Sequence, residues 1–63
     1  MTISLRQARR MMDKSQNELA DMLHVHVQTY RKLEENPDLV TIEQAKKISK
    51  YLGISHNEIF FAN

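Results

Sequence analysis

The residues of this sequence with the most distinctive chemistry lie on the outer side of one short amphipathic segment. Apolar spacing predicts a helix from His26 to about Glu35, with Tyr30 and Leu33 on its inner side. The side chains that this spacing leaves pointing outward are Val27, Gln28, Arg31 and Lys32. No aspartate or glutamate occurs from residue 22 to residue 33. Such an acid-free face suits a polyanion that is read through a groove, and these side chains have the right lengths for duplex DNA.

A second amphipathic segment precedes this one, and only three residues separate the two. Ser15 and Glu18 have the spacing of a capping box, which predicts that a helix begins there. The helix is expected to end at His24, a residue type enriched at positive φ. Ala20 lies on its inner face, where a small side chain lets two steeply crossing helices approach closely. The two segments together predict a helix-turn-helix.

The other helix boundaries follow from similar signals. A serine or threonine stands three residues before a glutamine or glutamate at three further places: Ser4 with Gln7, Thr41 with Gln44, and Ser55 with Glu58. Asp13 is expected at a left-handed position, Pro37 cannot continue the third helix, and Gly53 ends the fourth. The predicted fold class is all-α: a compact bundle of five short helices with a central helix-turn-helix, as a single domain over residues 1–63.

The hydrophobic core of this bundle is predicted from apolar residues at helical spacing. Its predicted members are Leu5, Ala8, Met12, Leu19, Ala20, Leu23, Val25, Tyr30, Leu33, Ile42, Ala45, Ile48, Leu52, Ile54, Ile59 and Phe60. A core this small depends on well-stopped helices, because each cap contributes about 1 kcal/mol and small domains are stable by only a few.

Composition excludes several classes of function. The 63 residues contain no cysteine, so we expect no disulfide, no thiolate metal site and a reducing, cytoplasmic environment. No apolar run approaches the length of a membrane span or a signal-peptide core. The sequence has no glycine-rich phosphate loop and no plausible carboxylate pair, which predicts no enzyme, no cofactor and no small-molecule substrate. The histidines His24, His26 and His56 lack a carboxylate or thiolate at ligand spacing, so no metal is expected.

Three strings of residues carry a family resemblance. They are Ser-Gln-Asn-Glu-Leu-Ala-x-x-Leu from Ser15, Thr-Tyr-x-Lys-Leu-Glu from Thr29, and Thr-Ile-x-x-Ala-x-x-Ile-x-x-x-Leu-Gly-Ile-Ser-x-x-Glu-Ile-Phe from Thr41. At this spacing the chain resembles the Cro/C1-type helix-turn-helix family of phage repressors and bacterial regulators. The resemblance implies a domain that binds operator DNA, usually as a symmetric pair on a palindromic site. The short regulators of phages and prophages of Gram-positive bacteria are the most similar in character.

The resemblance also implies roles for individual residues. Val27, Gln28 and Lys32 match positions that face base edges, where they can contact a thymine methyl group, adenine and guanine respectively. The positions that match phosphate contacts are Gln16, His26, Thr29 and Arg31. In the family, a glutamine at the Gln16 position also braces the recognition helix.

Two further roles concern the frame around the recognition helix. Arg9 and Glu34 match a pair that forms a salt bridge in this family, and we interpret them as a structural clamp for the recognition helix. Ile59 and Phe61 form a possible surface for a weak homodimer that becomes populated on DNA.

The sequence departs from the family pattern at several positions. Asp13 and Lys14 replace a glycine and an apolar residue, and His24 replaces a glycine in the turn. His26 replaces a serine or threonine, which puts the capping of the recognition helix in doubt. An alternative function is a small helical protein-interaction module, such as an antitoxin or antirepressor partner, in which DNA binding is secondary. Adjacent Phe60 and Phe61 favour some protein contact.

Overall fold

Five α-helices and one short 3-10 turn form the structure, which is a computed structural model describing residues 3–60. The elements are α1 (Leu5–Met11), α2 (Gln16–Leu23), α3 (Val27–Glu35), the 3-10 turn (Pro37–Leu39), α4 (Ile42–Leu52) and α5 (His56–Ile59). No strand occurs among the described residues. The predicted all-α bundle is therefore confirmed. The 3-10 turn that follows α3 is not predicted by the sequence patterns and begins at Pro37.

Side-chain caps define where the helices begin. Reciprocal capping boxes form at α1, α2 and α4, as the spacing of serine or threonine and glutamine or glutamate predicted. At α5 the predicted box between Ser55 and Glu58 is wrong. Ser55 Oγ accepts a hydrogen bond from the Asn57 N–H instead, because the N–H of Glu58 already donates to the Ser55 carbonyl oxygen.

Left-handed residues turn the chain after three of the helices. Asp13 and His24 adopt φ values of 60° and 59°, and Gly53 adopts 72°. The predicted left-handed positions are therefore confirmed, including the two where family members commonly carry glycine. After His24, the N–H of Val25 donates to the carbonyl oxygen of Ala20 at 3.0 Å, so the turn between α2 and α3 is closed by backbone hydrogen bonds.

The core lies where the inner faces of the helices meet. Its buried hydrophobic members are Leu5, Ala8, Leu19, Ala20, Leu23, Tyr30, Leu33, Ala45, Ile48, Leu52 and Ile59. Ala20 is buried as predicted, and α2 and α3 make the most extensive contact between helices. Val25, Ile54 and Phe60 are half-buried and pack against this core.

Two of the predicted core residues are exposed. Met12 is 43% exposed because α1 ends at Met11 and the chain turns away from the core at that point. Ile42 is 65% exposed because it is the first residue of α4, whose buried residues, Ala45, Ile48 and Leu52, come further along the helix. The prediction that both side chains fill the core is wrong.

The suggested dimer surface also needs correction. Ile59 is only 6% exposed and belongs to the core, so its side chain is not available to a second copy of the chain. Phe61, its suggested companion, lies outside the described residues. Within residues 3–60, no helix is long and apolar enough to cross a membrane.

Candidate nucleic-acid interface

Helix α3 is capped by a histidine. His26 is the N-cap residue, with extended backbone angles, and its Nδ1 accepts a hydrogen bond from the N–H of Gln28 at 3.3 Å. The His26 carbonyl oxygen accepts from the N–H of Tyr30, which begins the backbone hydrogen bonding of the helix. The imidazole Nδ1 of His26 thus serves where a serine or threonine oxygen is usual in the family, and α3 has a side-chain cap.

The outer face of α3 is exposed and carries no acidic side chain before the last turn of the helix. Gln28, Thr29, Arg31 and Lys32 are all exposed. Val27 differs from them because it is half-buried and packs against the core, so only part of its side chain reaches the outer surface. On the inner face, Tyr30 and Leu33 are buried and fix the rotation of the helix about its axis.

A buried carboxylate connects α1 to α3. The side chain of Glu34 has no exposed surface, and its Oε2 accepts a hydrogen bond from Arg9 Nε at 2.6 Å. Arg6 Nε donates to the other oxygen, Oε1, at 3.3 Å. The guanidinium of Arg9 also donates from Nη1 to the carbonyl oxygen of Lys14 at 2.9 Å. One arginine thus ties α1 to the segment before α2 and to α3.

The electrostatics of this pair follow from its burial and its hydrogen bonds. Burial alone would raise the pKa of Glu34, but the hydrogen bonds from Arg9 and Gln16 outweigh it, and the net pKa lies below its usual value. The hydrogen bond to Glu34 raises the pKa of Arg9. Burial raises the pKa of the Tyr30 phenol, whose hydroxyl lies beside the pair without a hydrogen bond of standard geometry among the described residues. Both partners of the pair are therefore charged at neutral pH.

Gln16 links this buried pair to the outer face of α3. Its Nε2 donates to Glu34 Oε1 at 3.1 Å. Its Oε1 accepts from Arg31 Nε, also at 3.1 Å. The side chain therefore spans from the buried carboxylate to an exposed guanidinium, and it braces α3 against α2.

Four arginines surround an open cleft next to this network. The cleft has a volume of about 390 Å³ and is lined by Arg6, Arg9, Arg10, Ser15, Gln16, Asn17 and Arg31. The family resemblance implied phosphate contacts for Gln16 and Arg31 but no role for Arg6 and Arg10. Their spacing of four residues, which places two side chains on one face of a helix, was the signal that could have found them.

The three histidines lie on different elements of the fold. Among residues 3–60, no group of three or more histidine and acidic side chains is arranged to hold a metal ion. His24 and His26 lie at the turn and at the cap of α3, whereas His56 begins α5. The histidines therefore serve separate parts of the fold.

A protein-family model described as helix-turn-helix matches residues 5–59. Searches of curated proteins and of solved structures returned no match. The matched range includes all five helices and every residue of the network around Glu34.

Proposed function

Since the chain belongs to the Cro/C1-type helix-turn-helix family of DNA-binding regulators, we propose that it is a sequence-specific transcriptional regulator of the phage or prophage repressor type. It binds a palindromic operator in duplex DNA as a dimer and represses by occupying that site. The observation that carries this proposal is the exposed outer face of α3, which has no acidic side chain before its last turn and is held by a buried ion pair.

Base recognition is proposed for residues on the outer face of α3. Gln28 can make a bidentate contact to adenine, and Lys32 can donate to guanine. Both side chains are exposed and lie four residues apart, one helical turn, so they can contact neighbouring base pairs in one major groove. Val27 contributes a smaller apolar contact to a thymine methyl group, since it is half-buried.

Phosphate contacts are proposed on both sides of the recognition helix. His26, Thr29 and Arg31 lie on or next to α3, and Gln16, which accepts a hydrogen bond from Arg31, lies beside this set at the N-terminus of α2. Arg6 and Arg10 extend this set, because they line the same cleft as Arg31. Contacts to phosphate fix the register of the protein on the duplex and make its affinity depend on salt.

The proposed dimer is compatible with the geometry of B-form DNA. Two recognition helices that enter successive major grooves on one side of a duplex lie about 34 Å apart. The described residues measure 29 × 23 × 18 Å, so two copies can lie side by side at that spacing with limited contact between them. A small contact of this kind supports a dimer that is weak in free solution and stable on the operator.

Selection from random duplex DNA followed by footprinting tests the proposal. We expect the wild-type protein to enrich a palindrome whose half-sites are about 10 base pairs apart from centre to centre. The Gln28→Ala variant, taken through the same selection, should enrich a site with relaxed preference at one position in each half. Failure of the wild-type protein to enrich any sequence would contradict the proposal and favour the protein-interaction module.

A further inference from the structure

We infer that the Gln16 side chain acts on DNA through Arg31: it is a positioning residue that holds the Arg31 guanidinium, and Arg31 makes the phosphate contact. The inference deepens the proposed function and rests on it. Within the proposed DNA interface, it states which of two neighbouring residues contacts the phosphate. It differs from the family-based expectation that the Gln16 side chain contacts phosphate directly.

The orientation of the Gln16 amide is fixed by its two neighbours. A carboxylate only accepts hydrogen bonds, and a guanidinium only donates them. The amide nitrogen must therefore face Glu34, at 3.1 Å, and the amide oxygen must face Arg31, also at 3.1 Å. Exchanging the two amide atoms would place oxygen against oxygen and nitrogen against nitrogen. Each polar atom of the side chain thus has a protein partner, which leaves one amide N–H as its remaining donor.

The inner end of this chain of hydrogen bonds is rigid. Glu34 is buried without exposed side-chain surface, and two arginines of α1 also hold its carboxylate, Arg9 at 2.6 Å and Arg6 at 3.3 Å. Moving Gln16 toward solvent would remove one hydrogen bond from a buried charged group, which is costly. The buried Glu34 carboxylate therefore fixes the position of the side-chain oxygen of Gln16, Oε1.

At the outer end of this chain of hydrogen bonds, the Arg31 guanidinium has donors left for an anion. Its Nε–H is used by Gln16, and this is the single side-chain hydrogen bond of Arg31 within residues 3–60. The two terminal nitrogens are left for a phosphate, for which the planar guanidinium is well shaped. Binding a free arginine side chain to DNA would cost its rotamer freedom. The bond to Gln16 reduces that cost, and it holds Arg31 in a cleft where Arg6 and Arg10 would otherwise repel it.

A double-mutant cycle measures this coupling on the operator obtained by selection and on a random duplex of equal length. Arg31→Met should weaken binding to both duplexes about tenfold and lower the salt slope by about 1 per subunit. Gln16→Met should weaken binding to both duplexes about threefold. It should lower the salt slope by less than Arg31→Met does, because Arg31 then contacts its phosphate for a smaller fraction of the time. In the Arg31→Met background, Gln16→Met should have almost no effect.

Arg10 provides the matched control, since it lines the same cleft but its side chain makes no hydrogen bond within the described residues. The effects of Gln16→Met and Arg10→Met should add. A second measurement needs no DNA: the Nε–H signal of Arg31 in the NMR spectrum should exchange with solvent more slowly than that of Arg10, and Gln16→Met should abolish the difference.

Two results would overturn the inference. Additive effects of Gln16→Met and Arg31→Met, with the salt slope unchanged by Gln16→Met, would show that the glutamine contacts phosphate on its own. Equal exchange of the Arg31 and Arg10 signals in the wild-type protein would show that the guanidinium is not held. A different result is that the wild-type protein binds neither duplex. That result would overturn the proposed function together with this inference.

Discussion

At the scale of single residues, Gln28 is the side chain through which base preference is most directly tested. Gln28→Ala is expected to cost about 1 to 3 kcal/mol on the preferred site and to relax base choice at one position. Titration of the preferred and the random duplex measures both effects. Arg31→Ala is the comparison variant, and it should weaken binding to the two duplexes alike. A Gln28→Ala variant that loses equal affinity for both would place Gln28 on the backbone rather than on a base.

The lowered pKa of Glu34 predicts how the free energy of unfolding depends on pH. Its pKa is lower in the folded chain than in the unfolded chain, so the folded state favours the ionised form. This contribution to stability is complete above the unfolded pKa, about 4.3, and is lost as pH falls through the lower folded pKa. The free energy of unfolding, measured by urea denaturation, should therefore decrease as pH is lowered through the acid range.

The Glu34→Gln variant isolates that contribution. At pH 7 it is expected to be less stable than the wild-type protein by about 2 kcal/mol, because Arg9 loses its charged partner in a buried site. It should also lose less stability than the wild-type protein on acidification. Glu35→Gln is the matched control, since its side chain is exposed, and it should change little. Parallel pH curves for wild type and Glu34→Gln would contradict the assignment.

At the scale of the elements, the histidine cap determines how α3 begins. His26→Ala removes the acceptor for the Gln28 N–H and should lower the free energy of unfolding by about 1 kcal/mol. His26→Asn keeps an acceptor at the same place and should retain the stability of the wild-type protein. Thermal unfolding of the two variants provides the measurement. Equal destabilisation by alanine and asparagine would show that the cap bond contributes little.

The helices themselves could be predicted because their ends are encoded locally. A capping box or a left-handed residue involves side chains only a few positions apart, so the boundaries at Ser15, His24 and Gly53 are readable from the chain alone. Exposure is a property of packing between elements. Met12 and Ile42 have the spacing of core residues, but each lies at the end of a helix, past the point where another helix covers it.

The candidate site shows the same division between local and long-range information. The exposed face of α3 follows from helical periodicity, whereas the Arg9 to Glu34 ion pair was expected only from the family resemblance. Neither source indicated that Gln16 is held between Glu34 and Arg31. Those contacts depend on how α1, α2 and α3 cross, and the pattern along any one helix does not contain that geometry.

At the scale of the whole molecule, the position of charge matters more than its sum. The net charge is only +1 at pH 7, yet four arginines line one cleft beside the recognition helix. With Arg6, Arg10, Arg31 and Lys32 on phosphates or bases, binding of each subunit should fall with salt at a log–log slope of about −3 to −4. The salt dependence should therefore be much steeper than the net charge suggests.

Single substitutions test whether the positive charge that lines the cleft determines the salt dependence of binding. Arg6→Gln and Arg10→Gln should each reduce the slope by about 1 per subunit. Lys46→Gln is the control, because Lys46 is exposed on α4 and does not line the cleft. Titrations at several salt concentrations on one duplex give all three slopes. A reduction by Lys46→Gln as large as that by Arg10→Gln would mean that another face of the protein approaches the DNA.

The guanidinium of Arg9 joins three parts of the chain, since it binds Glu34 on α3 and the Lys14 carbonyl oxygen from its own place on α1. None of the three can loosen without releasing a buried charge. Partial opening of this domain is therefore suppressed, and its first half behaves as one cooperative unit that is either assembled or lost together. The recognition helix α3 is thereby held rigid by contacts within this domain.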